Sequence, residues 1–286
     1  MKQRISLTLL FALSAILAAT SVSAEEGGHP EIVRQPWSFS GFTGQFDTAQ
    51  LQRGFQVYKD VCSNCHGLKR VAFRNLVQRG GPEFPEAAVK DLAKAWPNQI
   101  TDGPNDEGKM FERPALLSDP IRGPYHNDQE ARAAQNGALP PDLSLIARAR
   151  NVERNPSWWI HPFLMLGDIA EAYQEGGADY IYALLNGFSD PPDGFKLVDG
   201  KFYNKVFPGH QISMPPPLTD GVVQYQDGTP STVENYSRDV VAFLSWAADP
   251  SLDTRKQIGW QVILYLIVTT VLLYLGKKRI WASIKH

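Results

Sequence analysis

The chain has 286 residues, of which 43% are hydrophobic and 20% are charged, and its formal net charge is −2. Six of the 28 basic residues lie outside residues 25–256, so this central body holds 22 basic and 30 acidic residues and has a formal charge near −8. Such a balance argues against a nucleic-acid partner, because phosphate binding requires the opposite sign; it suits either solubility or the attraction of a basic protein, and the charge total does not choose between them.

Residues 1–24 predict a secretory signal peptide. Lys2 and Arg4 precede an apolar run over residues 7–19, and small residues end the segment, which is the order typical of an export signal. A permanent anchor is the weaker interpretation, because the apolar run is short for a bilayer. We therefore expect the body, residues 25–256, to lie in the periplasm of a bacterium.

The first predicted helix of the body runs toward the two cysteines. Asp47 is a candidate N-cap, and an apolar face then recurs at spacings of four, three and four: Leu51, Phe55, Tyr58 and Cys62. This face should carry Cys62 to the core. Gly54 would also allow another helix to approach closely.

A second helix is predicted near the end of the body. Ser231 and Glu234 have the spacing of a capping box, and an apolar stripe continues to Ala247 before Asp249 and Pro250 end it. Between the two helices, clusters of proline and glycine indicate long irregular segments, and alternating strand patterns are scarce. The pattern predicts a mainly α-helical fold with irregular loops.

Cys62 and Cys65 are the only cysteines, and His66 follows them directly. Cys-x-x-Cys-His is the attachment signature of c-type haem, in which two thiols bond to the vinyl groups and the imidazole binds the iron. A thiol–disulfide enzyme would favour a preceding strand rather than a helical pattern. A zinc site would need further clustered cysteine or histidine. We therefore predict one haem c, attached through Cys62 and Cys65.

The second iron ligand has several candidates. Beyond the signal peptide the methionines are Met110, Met165 and Met214. Met214 differs in context, because three prolines follow it and restrict the backbone as a ligand-bearing loop would require. His210, four residues earlier, competes with it, and the spacing leaves the choice open.

An uncharged segment at residues 258–276 predicts one transmembrane helix, which we place at residues 257–276. At 1.5 Å per residue it reaches about 28 Å, close to the hydrocarbon thickness of a bilayer. A buried core helix is the alternative, but it would normally keep a polar stripe. Residues 277–286 hold four cations and no acid, which places the C-terminus in the cytoplasm, and Trp260 suits the opposite interface.

Several segments, taken in order, resemble the cytochrome c1 family. They are "NGALPPDLSLIARAR" at 136–150, "ADYIYALLNGF" at 178–188, "FPGHQISMPPPL" at 207–218, "DGTPSTVENYSRDVVAFLSWAADP" at 227–250 and the closing apolar helix. The resemblance implies a c-type cytochrome domain with one C-terminal transmembrane helix, as the haem subunit of a cytochrome bc1 complex. Such a subunit is not itself catalytic. The alternative is a membrane-anchored monohaem carrier of another respiratory complex.

The same resemblance implies the partners. Electrons would arrive from a Rieske iron–sulfur protein and leave to a soluble, basic c-type cytochrome. Cytochrome b would be a neighbouring subunit, and the complex would be dimeric in the bacterial inner membrane.

The resemblance also assigns site residues at matching positions. It implies that Met214, rather than His210, is the iron ligand opposite His66, and that Arg150 lies near a haem propionate. Around the ring it places Pro140, Pro141, Ile146, Tyr180, Leu184, Leu185 and Phe207. A dry apolar pocket with a His/Met pair raises the reduction potential and suits a one-electron carrier.

Residues 151–177 depart from the compact members of that family, in which this connection is shorter. Trp158, Trp159 and Phe163 lie within this segment. We expect them to pack locally rather than against another subunit.

Overall fold

The structure is a computed structural model that describes residues 32–152 and 157–282. The predicted signal peptide and the last four residues of the basic tail lie outside the described residues. Within these ranges are eight α-helices: α1 (Thr48–Asp60), α2 (Glu86–Lys94), α3 (Asp128–Ala134), α4 (Ile146–Ala149), α5 (His161–Glu171), α6 (Gly176–Asn186), α7 (Val233–Ala248) and α8 (Leu252–Trp281).

Strands contribute little to the described part of the chain. They form three two-stranded antiparallel sheets, β1 with β4, β2 with β3 and β5 with β6. Their bounds are β1 (Leu68–Ala72), β2 (Ile100–Asp102), β3 (Phe111–Arg113), β4 (Pro120–Ile121), β5 (Phe202–Tyr203) and β6 (Gln211–Ile212). The prediction of a mainly α-helical fold with irregular loops is confirmed.

The core forms where α1 crosses α7. A Cβ atom added at Gly54 would lie 2.1 Å from the backbone oxygen of Asp239 and 2.7 Å from the Cβ of Phe243, so the two helix backbones touch at this point. Beside the crossing, the rings of Phe55 and Phe243 meet edge to face at 5.5 Å. The prediction that Gly54 admits another helix is confirmed.

The ends of α1 and α7 agree with the predicted caps except at two positions. Asp47 caps α1, accepting a hydrogen bond from the Gln50 amide at 2.9 Å. The helix stops at Asp60, and Cys62 opens a 3-10 turn instead of continuing it. Ser231 as the cap of α7 is wrong by one residue, because Thr232 is still extended (φ −115°, ψ 153°) and its side chain accepts from the Asn235 amide.

Helix α8 leaves the domain as a single helix of 30 residues. Among the described residues it is the one helix long and apolar enough to cross a membrane. Its first turns are attached to the domain, since the Lys256 amine donates to the Phe39 oxygen at 2.7 Å and to the Gly44 oxygen at 3.2 Å. The ring of Phe42 lies 6.4 Å from that of Trp260.

The segment at residues 151–177 does not pack as expected. Every residue of α5 is exposed or half-buried. Trp158 is 87% exposed, Trp159 is 59% exposed and Phe163 is 71% exposed. Local packing of these aromatic residues is therefore wrong. Arg34 holds the helix through Asp168 and Glu171, and no described residue buries the side chains of Trp158, Trp159 or Phe163.

Candidate functional site

The two cysteines lie in a tight turn directly after α1. The 3-10 turn spans Cys62–Asn64, and the amides of Cys65 and His66 both donate to the Cys62 oxygen, at 3.1 and 2.9 Å. The buried Tyr58 hydroxyl donates to the His66 oxygen at 3.1 Å and fixes the turn from the core side. Both cysteines are half-buried. The turn therefore holds two thiols and an imidazole within five residues.

The imidazole of His66 is oriented by a backbone carbonyl. Its Nδ1 lies 2.8 Å from the Pro141 oxygen. A carbonyl oxygen only accepts, so Nδ1 carries the proton and Nε2 keeps its lone pair. Burial lowers the pKa of His66, which further favours the neutral ring. A neutral histidine whose other nitrogen is fixed by a hydrogen bond is the form that binds a metal.

The Cys62 thiol lacks the low pKa that a redox pair requires. Burial raises the pKa of the Cys62 thiol to about 12, with a smaller contribution from Cys65. A thiol–disulfide enzyme needs the opposite shift, because the thiolate is the nucleophile. The described residues also hold no group of three or more His, Cys, Asp or Glu side chains that could bind a metal ion.

Residues 140–144 are hydrogen-bonded to the chain that directly follows the Cys-x-x-Cys-His motif. The Leu143 amide donates to the Gly67 oxygen at 2.9 Å, and the Lys69 amide donates to the Asp142 carboxylate at 2.8 Å. These bonds place residues 140–144 beside His66, with Pro140 half-buried and Pro141 exposed. The Ile146 side chain, at the start of α4, is half-buried against the core.

Helix α6 joins this assembly through a glycine. A Cβ atom at Gly177 would lie 1.9 Å from the Ala147 oxygen and 2.6 Å from the Arg150 oxygen, so α6 rests on the backbone of α4. Tyr180 and Leu184 follow Gly177 at spacings of three and seven, on the same face. Tyr180 and Leu185 pack on the core, and Leu184 is half-buried.

Arg150 follows α4 and is exposed. Its guanidinium makes no ion pair with any described residue, whereas the neighbouring Arg148 is bound to Asp249 at 2.8 Å. A cavity of about 370 Å³ opens beside Arg150, between α4, α5 and the start of α6. Neither the Cys-x-x-Cys-His residues nor Met214 line it, so this cavity is distinct from the motif.

Asn204 is a candidate that sequence reasoning missed. It is fully buried, and its Nδ2 donates to the Leu184 oxygen at 2.8 Å. Its Oδ1 accepts from the amides of Val206 and Phe207, at 2.9 and 3.2 Å. One asparagine therefore ties the end of α6 to the loop that leads to Met214. No periodic or motif signal marks this residue, which stands in a polar stretch between two short apolar ones.

The loop after Asn204 carries both competing iron ligands. His210 has a positive φ of 58°, its Nδ1 lies 3.2 Å from the Asn204 oxygen and its ring stacks on Tyr203 at 5.7 Å. Met214 is half-buried and follows β6 by two residues, before the three prolines. Phe207, earlier in the loop, is also half-buried.

The two other methionines are mainly exposed, Met110 before β3 and Met165 on α5. A ligand must be held in place, and exposure removes that support. The described structure thus connects the predicted site residues by successive contacts. His66 touches Pro141, the segment after Pro141 leads into α4, α4 supports α6, and Leu184 of α6 binds Asn204 at the base of the loop with Met214.

Comparison with known proteins identifies similar sequences along nearly the whole chain. The sequence model of the Cytochrome C1 family matches residues 37–284. Cytochrome c1 of Blastochloris viridis is 50% identical over 280 residues, which cover 98% of this chain and 95% of that protein. A protein named cytochrome b/c1, from Bradyrhizobium diazoefficiens, is 45% identical over 280 residues, which cover 98% of this chain and 40% of that protein. The mitochondrial cytochrome c1 heme protein of Schizosaccharomyces pombe is 42% identical over 262 residues, covering 92% of this chain and 75% of that protein.

Proposed function

Because this chain belongs to the cytochrome c1 family, we propose that it is the haem-bearing electron-transfer subunit of a cytochrome bc1 complex. It accepts electrons from the Rieske iron–sulfur protein and passes them to a soluble c-type cytochrome. The observation that carries this function is the turn Cys62–His66, in which the Pro141 carbonyl leaves the Nε2 of His66 available for iron. Bound haem supplies a one-electron couple between ferric and ferrous iron.

The residues of the chain attach, ligate and shield this group. Cys62 and Cys65 would hold the haem through two thioether bonds, and His66 would be one ligand of its iron. Met214 would be the other ligand, which is supported by its half-buried place in a proline-restricted loop and by the engagement of the His210 ring with Tyr203. A thioether favours ferrous iron more than an imidazole does, and thus raises the reduction potential.

The pocket residues exclude water and balance charge. The apolar wall consists of Pro140, Pro141, Ile146, Tyr180, Leu184, Leu185 and Phe207, which the contacts between α4, α6 and the loop after Asn204 support as one surface. Arg150, which has no partner among the described residues, is suited to pair with a haem propionate. No bond of a substrate is made or broken by these side chains.

We assign the haem domain to residues 25–256 in the periplasm, the membrane segment to residues 257–276 and a cytoplasmic tail to residues 277–286. The length of α8 and the four cations after the span support this orientation in the bacterial inner membrane. Cytochrome b and the Rieske protein are the neighbouring subunits of a dimeric complex, and a relative named cytochrome b/c1 supports the first of these. The body's charge near −8 suits a basic soluble cytochrome as the acceptor.

Paired variants test the ligand assignment and the function together. Met214→Leu should keep the covalent haem, lose the ferric sulfur-to-iron charge-transfer band, admit exogenous ligands and lower the midpoint potential. Quinol oxidation by the purified complex should fall with the potential. His210→Ala is the matched control and should retain the band. Loss of the band in His210→Ala alone would overturn the assignment, and purification without cytochrome b or Rieske subunits would contradict the proposed complex.

A further inference from the structure

Helix α5 does not turn its most apolar side toward the domain. Asp168 and Glu171, on its polar side, accept hydrogen bonds from Arg34 at 2.6 and 2.5 Å. The Arg34 guanidinium also lies 3.9 Å from the centre of the Tyr173 ring. A helix on a soluble domain normally turns its apolar stripe inward. Here the side toward the domain carries Asp168 together with Leu164 and Met165, which line the cavity beside α4, and Phe163, Leu166 and Ile169 face away from the domain.

The outward side forms one apolar patch. Phe163, Leu166 and Ile169 recur at spacings of three, which places them on one side of the helix. Leu166 and Ile169 are both 63% exposed. Together with Trp158 and Trp159, which precede the helix, these residues are called the α5 patch. A group of large exposed apolar side chains within twelve residues is more than the scattered exposure normal on a soluble surface, and marks a site of contact with a protein or a membrane.

The end of α5 lies beside the point at which α8 enters its apolar span. A Cβ atom at Gly41 would lie 3.9 Å from the Glu171 oxygen, in ordinary contact. The next residue, Phe42, packs its ring 6.4 Å from Trp260. Trp260 is the third residue of the uncharged segment that begins at Ile258. The loop at residues 37–44 therefore connects α5 to the level of the membrane boundary.

We propose that the α5 patch lies in the surface of the bilayer, on the side of the haem domain, as a second membrane contact beside α8. A lipid surface fits better than a protein partner, because the patch is connected through residues 41–42 to a helix that spans the membrane. Tryptophan is also enriched at the level of the lipid headgroups, and two of the five patch residues are tryptophan.

The composition of α5 defines the class of lipid. Residues 161–171 contain no lysine or arginine and two acids, Asp168 and Glu171. Anionic headgroups would therefore add no attraction, and apolar burial is the driving force. Zwitterionic lipid suffices, and salt leaves the contact unchanged. This inference rests on the anchoring of α8, and its test uses the haem-loaded complex of the proposed function.

A spin label on the patch tests the proposal in the whole complex. Within this chain Leu166→Cys is the one thiol open to the label once Cys62 and Cys65 hold haem, and the labelled complex without the substitution gives the background from the other subunits. Val198→Cys is the control, since Val198 is 58% exposed and lies in a loop outside α5. Both labelled complexes are reconstituted in phosphatidylcholine nanodiscs, and their accessibility to dissolved oxygen and to a water-soluble nickel chelate is measured.

At Leu166→Cys the ratio of oxygen accessibility to chelate accessibility should exceed one, and at Val198→Cys it should fall below one. The ratio should not change with salt. A mobile label at Leu166→Cys that is open to the chelate would show that the patch faces water and would overturn the proposal. An immobilised label that neither reagent reaches would show a protein subunit on the patch, which would overturn it as well. Both outcomes leave the proposed function intact.

Discussion

Replacing Asn204 with leucine should destabilise the protein and loosen the loop that carries Met214. Leucine has a similar branched shape, although it is larger, and it neither donates nor accepts a hydrogen bond. The substitution therefore leaves three groups without their partner: the Leu184 oxygen and the amides of Val206 and Phe207. The hydrogen bond from the Asn204 amide to the His210 oxygen can persist, since it does not involve the Asn204 side chain.

The size of the effect follows from these three bonds. A buried group that loses its partner costs about 1–3 kcal/mol. Leu184, Val206 and Phe207 are half-buried, so water can replace some of the lost hydrogen bonds. We therefore use the lower end of that range for each of the three groups. The expected decrease in the free energy of unfolding is then about 3 kcal/mol. Asn186→Leu is the matched control, because the Asn186 side chain is exposed and donates only within α6, to the Tyr182 oxygen. Its effect should remain within about 0.5 kcal/mol.

Urea unfolding of the soluble haem domain, followed by circular dichroism, measures both free energies. A second measurement reports on the loop: the ferric sulfur-to-iron band should weaken in Asn204→Leu before the protein unfolds, whereas Asn186→Leu should keep it. If Asn204→Leu and Asn186→Leu have the same stability, the hydrogen bonds of Asn204 do not support the loop and the reasoning is refuted.

Three further predictions concern the core, the pH dependence and the partner. Gly54→Ala should lower the free energy of unfolding in urea by about 3 kcal/mol, since the new methyl group overlaps the Asp239 backbone. Gly167→Ala, where the Cβ meets open space among the described residues, should not lower it. Equal effects would contradict the helix crossing. A hydrogen bond from Arg113 lowers the pKa of Asp119, so the ionised carboxylate stabilises the fold fully above the unfolded pKa of about 4, and this stabilisation is lost as the pH falls through the folded pKa. Arg113→Gln should therefore lower the free energy of unfolding at neutral pH and leave it unchanged in strong acid. An equal decrease at both pH values would refute the linkage. Electron delivery to a basic cytochrome should slow as salt rises, and a second-order rate constant independent of salt would show that the acidic surface serves solubility only.

The parts of the fold that could be predicted are those encoded by neighbouring residues. The cap at Asp47 and the apolar face of α1 depend on spacings within a few turns, and the structure contains both. Gly54 also predicted a contact between two helices that are far apart in sequence. A glycine on the buried face of a helix lacks a side chain to pack, and close approach of another helix is the main reason to find it there. The one-residue error at Ser231 has a local cause, since either of two adjacent hydroxyls could cap α7 and only the backbone angle of Thr232 decides.

The arrangement of the site depends on contacts that the sequence does not display. His66 meets the Pro141 oxygen across 75 positions, and a carbonyl acceptor has no signature in the sequence because every residue has one. Asn204 is similar, since an asparagine in a loop is usually a turn residue on the surface. Its importance appears only when α6 and the loop after β5 bury it between them.

Helix α5 shows a different limit of sequence reasoning. The spacing of Phe163, Leu166 and Ile169 identifies an apolar side but does not say what covers it, since the same pattern serves a protein core and a lipid surface. The direction of that side is set by Arg34, whose two acidic partners lie 134 and 137 positions away. A physical consequence follows if lipid covers the patch. A single helix such as α8 fixes the height of the domain above the bilayer but permits it to tilt. A second contact away from the axis of α8 opposes that tilt, and so adds to the contacts with neighbouring subunits in holding the haem at a defined angle to the membrane.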